Sequence, residues 1–78
     1  MVEKEIKQIF VKEGKKLGGI ALKLVCPSFD GVPGRLVLLL GGRLCFVEVK
    51  APGKVPRPLQ VARHQMLRRL GFLVFVLD

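Results

Sequence analysis

Glu48 and Lys50 are the two residues in this sequence whose types and spacing best suit chemistry. Only Val49 separates them, and the apolar run 44–47 precedes them. In a β-strand, residues two apart point to the same face, so a carboxylate and an ammonium group would lie side by side on an apolar surface. Burying them is costly unless they are matched to each other, to a metal ion or to an anion. An acid that binds a divalent cation beside a lysine that polarises water is the arrangement that metal-dependent phosphodiester hydrolysis needs.

A plainer interpretation of the same residues is an ion pair where a strand runs out into solvent. Ala51-Pro52 does end the strand, and charged side chains are usually exposed. Against this, Glu48 is bracketed by two valines and precedes the polar loop. The local sequence leaves both interpretations open.

The charge of the chain favours a polyanionic partner. The 78 residues carry 14 Lys and Arg against 6 Asp and Glu, which gives a formal net charge of +8. Nucleic acid is the first candidate and an anionic membrane surface is the second. Charges interrupt every apolar run, so no membrane span is expected, and the N-terminus lacks the apolar stretch of a signal peptide.

The length predicts a single domain, residues 1–78, with a small core and a thin stability margin that oligomerisation commonly remedies. Half of the residues are apolar, which is too many for a disordered chain. Cys26 and Cys45 lie in apolar runs, and this predicts buried free thiols in a reducing compartment such as the cytoplasm. A disulfide between neighbouring strands is the alternative.

The spacing of apolar residues and chain breakers predicts six elements in the order α-β-β-β-α-β, an α/β domain with a small mixed sheet. They are a helix over 3–17, strands over 20–26, 35–40 and 44–50, a helix over 59–70 and a strand over 72–77. Gly41-Gly42 joins the middle strands as a hairpin, and the last strand, which follows a crossover helix, should run parallel to an earlier one. Glu48 and Lys50 then lie at the end of the third strand.

Two burial patterns are also expected. The continuous apolar run 35–40 predicts a strand that is buried on both faces. The second helix should bury an apolar stripe of Leu59, Ala62, Met66 and Leu70.

Three segments of the sequence together match one known pattern. They are Gly31-Val32-Pro33-Gly34-Arg35-Leu36-Val37, then Phe46-Val47-Glu48-Val49-Lys50-Ala51-Pro52-Gly53, and then Gln60 with Leu67-Arg68-Arg69-Leu70-Gly71-Phe72. This pattern resembles the virus-type replication-repair nuclease (VRR-NUC) domain of the PD-(D/E)xK nuclease superfamily. The resemblance covers nearly the whole chain and implies a restriction-endonuclease-like core.

The resemblance also implies roles for individual residues. Glu48 corresponds to an acid that binds Mg²⁺ or Mn²⁺, with the backbone carbonyl of Val49 as a further ligand. Lys50 would orient or activate the attacking water, or stabilise charge on the phosphorus centre. Gln60 matches the glutamine of the family and would support the site. An acid on the first helix completes the pattern, and Glu3 is preferred over Glu5 because it can face the sheet.

Gly34 is the serious departure from the pattern. The family motif at residues 33–34 is Pro-Asp, and its aspartate is the principal metal ligand, whereas glycine cannot coordinate a metal ion through a side chain. Either catalysis is lost or severely weakened, which is the favoured interpretation, or Asp30 reaches in from the same loop as a substitute.

Four basic residues flank the predicted site and are candidates for contacts with DNA phosphates: Arg35, Lys54, Arg57 and Arg63. Few aromatic residues accompany them, so backbone and shape recognition of duplex or branched DNA fits better than base stacking. His64, the only histidine, follows Gln60 by one helical turn and could point toward the site, but a surface position is the favoured interpretation.

The family resemblance thus implies a metal-dependent, structure-selective DNA endonuclease domain of the Holliday-junction or flap type, working as a homodimer in a bacterial or phage-infected cell. The alternative is a non-catalytic, basic DNA-binding module of the same fold. A second alternative is a basic interaction protein in which Glu48 and Lys50 form only an ion pair.

Overall fold

The computed structural model describes residues 19–77. The predicted first helix, with Glu3, Glu5 and the glycine at 18, lies outside the described residues. The elements are β1 (Ile20–Lys23), β2 (Arg35–Leu39), a 3₁₀ turn (Leu40–Gly42), β3 (Arg43–Val49), α1 (Pro58–Arg69) and β4 (Leu73–Leu77).

The four strands form one mixed sheet in the order β1-β2-β3-β4. β2 is antiparallel to β1 and to β3, and β4 is parallel to β3. Gly41 and Gly42 both have positive φ in the turn between β2 and β3, a conformation that glycine adopts without strain. The predicted hairpin and the predicted parallel last strand are both confirmed.

The register divides the sheet into two faces. The first, here called the core face, carries the fully buried Val37, Cys45 and Val47 together with Leu77. The second carries Phe46 and Glu48, with residues 36 and 38 of β2 and residues 74 and 76 of β4 beside them. We call it the helix face, because α1 packs there.

Helix α1 is joined to β4 and to the helix face at its C-terminal end. The Arg68 guanidinium donates a hydrogen bond to the Val74 carbonyl at 2.8 Å. Just after the helix, the ring of Phe72 meets that of Phe46 edge to face, with 5.6 Å between centroids. This arrangement is the ordinary crossover between two parallel strands, and it places the helix beside the strand that carries Glu48.

The predicted apolar stripe of this helix is wrong. Its buried side chains are Gln60 and His64, whereas Leu59 and Leu70 are exposed. The favoured surface position of His64 is therefore wrong as well, since only 2% of this residue is exposed. The physical reason is that the helix packs over the polar end of β3, so polar side chains fill the interface.

Two strand predictions also need correction. β1 ends at Lys23 and not at Cys26. The Leu24 N–H still bonds the Gly34 carbonyl, but the ladder goes no further, because the chain enters a turn that the Phe29 N–H closes on the Cys26 carbonyl. β2 is buried on its core face only. Leu38 lies on the helix face and is 37% exposed, because α1 packs against β4 at the far edge of that face and does not cover β2.

Cys26 is half-buried and Cys45 is buried, and both thiols are free, as expected. Burial raises the pKa of the Cys45 thiol, so it is inert at neutral pH. No helix within residues 19–77 is long and apolar enough to span a membrane.

Candidate active site

Glu48 and Lys50 lie on the helix face at the C-terminal end of β3. Glu48 is only 9% exposed, and the Lys50 backbone N–H donates to the Leu77 carbonyl at 2.7 Å, so pairing with β4 continues as far as Lys50. The Lys50 Nζ lies 3.9 Å from Glu48 Oε2, too far for a hydrogen bond. The carboxylate is thus sequestered beside a cation that does not saturate it, which leaves its oxygens available to another partner.

Gly34 lies across the sheet from Glu48. Arg35 pairs with Val47 in the β2–β3 register, so extending the ladder by one residue puts position 34 opposite Glu48 on the same face. A Cβ atom built on Gly34 would meet nothing within 4 Å, and its φ is not positive. Opposed Cβ atoms in such a pair are about 4.5–5.5 Å apart. An acidic side chain at this position would therefore fit without strain and reach the Glu48 carboxylate.

The loop 27–34 is held in place by packing that does not involve residue 34. Pro33 is fully buried. Gly31 has a φ of +89°, and a Cβ there would come within 2.9 Å of Leu59 Cγ and 3.1 Å of the Leu59 carbonyl oxygen. Only glycine allows the loop to approach the first turn of α1 so closely. The Gly-x-Pro part of the motif thus sets the position of the loop next to the site.

Arg63 ties this loop to the helix. Its Nε donates to the Asp30 backbone carbonyl at 2.9 Å, and its guanidinium carbon lies 3.8 Å from the centre of the Phe29 ring. Both contacts are with residues more than thirty positions away in the chain, so the pairing could not be found from local spacing. Arg63 therefore has a structural role, and its contact with phosphate stays a prediction.

Gln60 joins the start of α1 to the loop before it. Its Oε1 accepts a hydrogen bond from the Arg57 backbone N–H at 2.9 Å, and the residue is buried. The loop itself begins with a turn in which the Lys54 N–H bonds the Ala51 carbonyl at 3.0 Å around Pro52 and Gly53. Proline followed by glycine at positive φ is the sequence of a type II turn, so Ala-Pro-Gly fixes how the chain leaves Lys50.

His64 is a buried polar residue that was not assigned to the site from the sequence. Its Nε2 has no hydrogen-bond partner within the described part of the chain. Burial lowers the pKa of the imidazole; Glu48 acts in the opposite direction, and Arg68 and Lys50 lower it further. The available signal was the Gln60-x-x-x-His64 spacing, because residues four apart share a helix face.

The basic residues expected to bind DNA do not all lie together. Arg35 projects from the core face, opposite to Glu48, and its Nη1 donates to the Gly34 carbonyl at 3.1 Å. Lys54 and Arg57 are exposed in the loop that follows β3. The structure thus places two of the four cations at the Glu48 end of the sheet with free access to solvent.

The described residues do not make a complete site for Mg²⁺. No three His, Cys, Asp or Glu side chains converge within residues 19–77. Glu48 and the Val49 carbonyl offer oxygen ligands, but Gly34 offers no side chain, and Asp30 is exposed in the loop. Mg²⁺ prefers six oxygen ligands and is bound by one or two carboxylates. One carboxylate alone beside a lysine is a weak version of such a site.

Comparisons with known proteins agree with this architecture. No family model matches the sequence. A protein described as "Putative nuclease p44", from Acyrthosiphon pisum secondary endosymbiont phage 1, is 50% identical over 76 residues, covering 97% of this chain and 82% of that protein. A solved structure of a VRR_NUC domain is similar with a TM-score of 0.80 and 34% identity, covering 97% of this chain and 83% of that one. The chain belongs to the VRR-NUC family of nucleases.

Proposed function

We propose that this protein is a structure-selective DNA endonuclease domain whose own cleavage activity is weakened or lost because Gly34 replaces the metal-binding aspartate. The observation that carries the proposal is the open space at Gly34 opposite the buried Glu48. The family is generally dependent on a divalent metal, for which Mg²⁺ and Mn²⁺ are the proposed ions. With one carboxylate missing, affinity for such a cation should fall sharply.

The groups that remain can still act on a phosphodiester. Lys50 carries its charge at the end of β3, close to where a phosphate would approach Glu48, and can stabilise negative charge that develops during the reaction. Gln60 fixes the start of α1 through Arg57, which holds the polar wall of the site in place. These residues bind and orient, but none of them replaces the missing carboxylate.

DNA is the proposed partner, and branched DNA such as a four-way junction or a flap is the proposed substrate class. The net charge of +8 supports binding to a polyanion, with affinity that falls steeply as salt is added. Lys54 and Arg57 are the most accessible of the proposed phosphate contacts. The preference for branched DNA comes from the family resemblance alone.

A homodimer is also proposed, because a symmetric junction needs two cuts. Three exposed apolar side chains on the helix face support it: Ile20, Leu22 and Leu38. Ile20 and Leu38 are direct cross-strand partners, so the exposed surface is continuous. Sedimentation at micromolar concentration should give a species of twice 8.7 kDa, and an 8.7 kDa species would contradict the proposal.

The decisive experiment compares this chain with Gly34→Asp on four-way junctions in Mg²⁺ or Mn²⁺. We expect little or no cleavage by the chain as it stands and a gain of about 100-fold or more in the variant, the scale on which one charge-stabilising group changes kcat. Gly34→Asn is the matched control, since it has nearly the same size without the charge, and should gain little. In calorimetric titrations, Gly34→Asp should likewise bind Mg²⁺ and Mn²⁺ more tightly than Gly34→Asn or the parent chain.

Equal cleavage by both proteins would contradict the proposal and indicate that Asp30 or another group supplies the ligand. Salt-dependent DNA binding without cleavage, even by Gly34→Asp, would favour the second candidate, a non-catalytic DNA-binding module of the same fold. The observation that favours this second candidate is the absence of a three-residue metal cluster among residues 19–77.

A further inference from the structure

His64 is a buried polar group that the proposed reaction does not use. It is 2% exposed, and its Nε2 has no partner among residues 19–77. Buried polar atoms are nearly always hydrogen-bonded, so an imidazole nitrogen that is unpaired among these residues indicates a place for a further partner.

The geometry of the crossover puts this nitrogen at the level of Glu48. Arg68 bonds the Val74 carbonyl, and Val74 pairs with Phe46 in β3. His64 precedes Arg68 by one helical turn, a rise of about 5–6 Å. Glu48 follows Phe46 by two strand residues, about 6.5 Å. The helix runs antiparallel to β3, so the displacement from Arg68 to His64 has the same direction as that from Phe46 to Glu48. His64 and Glu48 therefore lie at the same level of the sheet.

The groups around the pair favour a cation bound between them. The Glu48 carboxylate accepts no hydrogen bond from any side chain in the described ranges, and its nearest cation, Lys50, is 3.9 Å away. Gly34 leaves the opposite side open. Glu48 raises the pKa of the imidazole against the larger effect of burial, as a nearby carboxylate does. An imidazole nitrogen and a carboxylate together form a ligand set of mixed softness.

We propose that the His64 Nε2 and the Glu48 carboxylate together bind a borderline divalent cation, such as Zn²⁺, in preference to Mg²⁺. The inference rests on the proposed function, because it concerns the same site, and adds to it a nitrogen ligand and a different metal preference. Two protein side chains leave the remaining coordination positions to the Val49 carbonyl and to water. Imidazole suits Zn²⁺, whereas Mg²⁺ prefers oxygen ligands.

The single histidine makes the test direct. Tag-free protein with ¹⁵N-labelled histidine gives NMR signals from one imidazole only, and Zn²⁺ coordination should shift the Nε2 resonance much more than the Nδ1 resonance. A large excess of Mg²⁺ should leave both unchanged. The measurement is made in a Cys26→Ser background, which removes the half-buried thiol as a competing ligand. An unshifted Nε2 under saturating Zn²⁺ would overturn the proposal without any need for a variant.

Two substitutions test whether the site is shared. Zn²⁺ affinity measured by calorimetry should fall about 10-fold or more in His64→Gln and also in Glu48→Gln. Arg69→Gln, an exposed position at the end of the helix, is the control and should bind like the parent. Loss of binding in His64→Gln with none in Glu48→Gln would overturn the shared site. These measurements involve no DNA, so their failure can be distinguished from a failure of Gly34→Asp to cleave DNA.

Discussion

The two halves of the candidate site, β3 with α1 on one side and the loop 27–34 on the other, differ in what they retain of the family pattern. The β3 half keeps its chemistry, with Glu48 buried and Lys50 beside it. The loop half keeps its shape, through Gly31 and the buried Pro33, but has glycine at the position where the family resemblance predicts an acid. The position of the loop and the chemistry that it carries are therefore physically separate.

This separation has a structural cause. The loop is held by contacts at residues 29–31 and 33, and position 34 only accepts hydrogen bonds through its carbonyl, from the Leu24 N–H and from Arg35. A side chain at 34 is therefore free to vary without moving the loop. Two glycines three residues apart should respond to substitution in opposite ways.

The largest effect is expected from Gly31→Ala. Its Cβ would approach Leu59 Cγ at 2.9 Å in a backbone with a φ of +89°. The strain and the displaced contact should lower the free energy of unfolding by about 2–4 kcal/mol. A core of this size supplies roughly 3–5 kcal/mol, so the change removes most of the stability and leaves a detectable fraction unfolded at 25 °C. Urea denaturation followed by circular dichroism measures the change.

Gly34→Ala is the matched control from the same loop. Its Cβ meets nothing within 4 Å, and replacing glycine at an ordinary φ should stabilise the protein by about 0.4–1 kcal/mol by restricting the unfolded chain. If Gly34→Ala is as damaging as Gly31→Ala, position 34 is part of the support of the loop and the comparison between the two halves fails.

A smaller effect is expected from Arg63→Ala, which breaks the tie between the halves. Loss of the hydrogen bond to Asp30 and of the stacking on Phe29 should cost about 1–2 kcal/mol of stability in urea titrations. Arg63→Lys keeps the charge but loses the planar stacking, and should recover only part of this. Arg69→Ala, at an exposed position, should cost less than about 0.5 kcal/mol.

The same variant separates structural support from DNA contact. If Arg63 neutralised a phosphate and did nothing else, its removal would leave stability unchanged and reduce the salt dependence of DNA affinity by about one unit of slope. If it only held the loop, the salt slope would be unchanged. Fluorescence anisotropy with a labelled junction at several salt concentrations distinguishes the two outcomes.

The sheet could be predicted from the sequence because its signals are local. Gly41-Gly42 marks the hairpin, and the helix between β3 and β4 requires a parallel pair. The location of Glu48 and Lys50 at the end of β3 came from alternation along one strand and is confirmed as a position in the fold. Their roles in metal binding and catalysis stay predictions.

The features that could not be predicted depend on which face of α1 packs against the sheet. Periodicity groups Leu59 with Leu70 and, equally, Gln60 with His64, but it does not say which group packs against the sheet. The choice is made by tertiary structure, since the sheet presents Glu48 to the helix. The partners of Arg63 are distant in sequence and were invisible for the same reason. The role of Glu3 lies outside the described residues and stays a prediction.

The smallest effect tests the β3 half through the pH dependence of stability. Burial lowers the pKa of His64 in the folded state, Glu48 raises it, and Arg68 and Lys50 lower it. Between the folded pKa and the unfolded value near 6.5, the unfolded chain binds more protons, so stability falls as the pH falls. From pH 7 to pH 6 without metal, the loss should be at most about 0.7 kcal/mol. His64→Gln should flatten this slope, measured by urea unfolding at both pH values, whereas the N-terminal amine contributes equally to both proteins. A slope that is unchanged in the variant would mean that the imidazole is not held neutral beside Glu48.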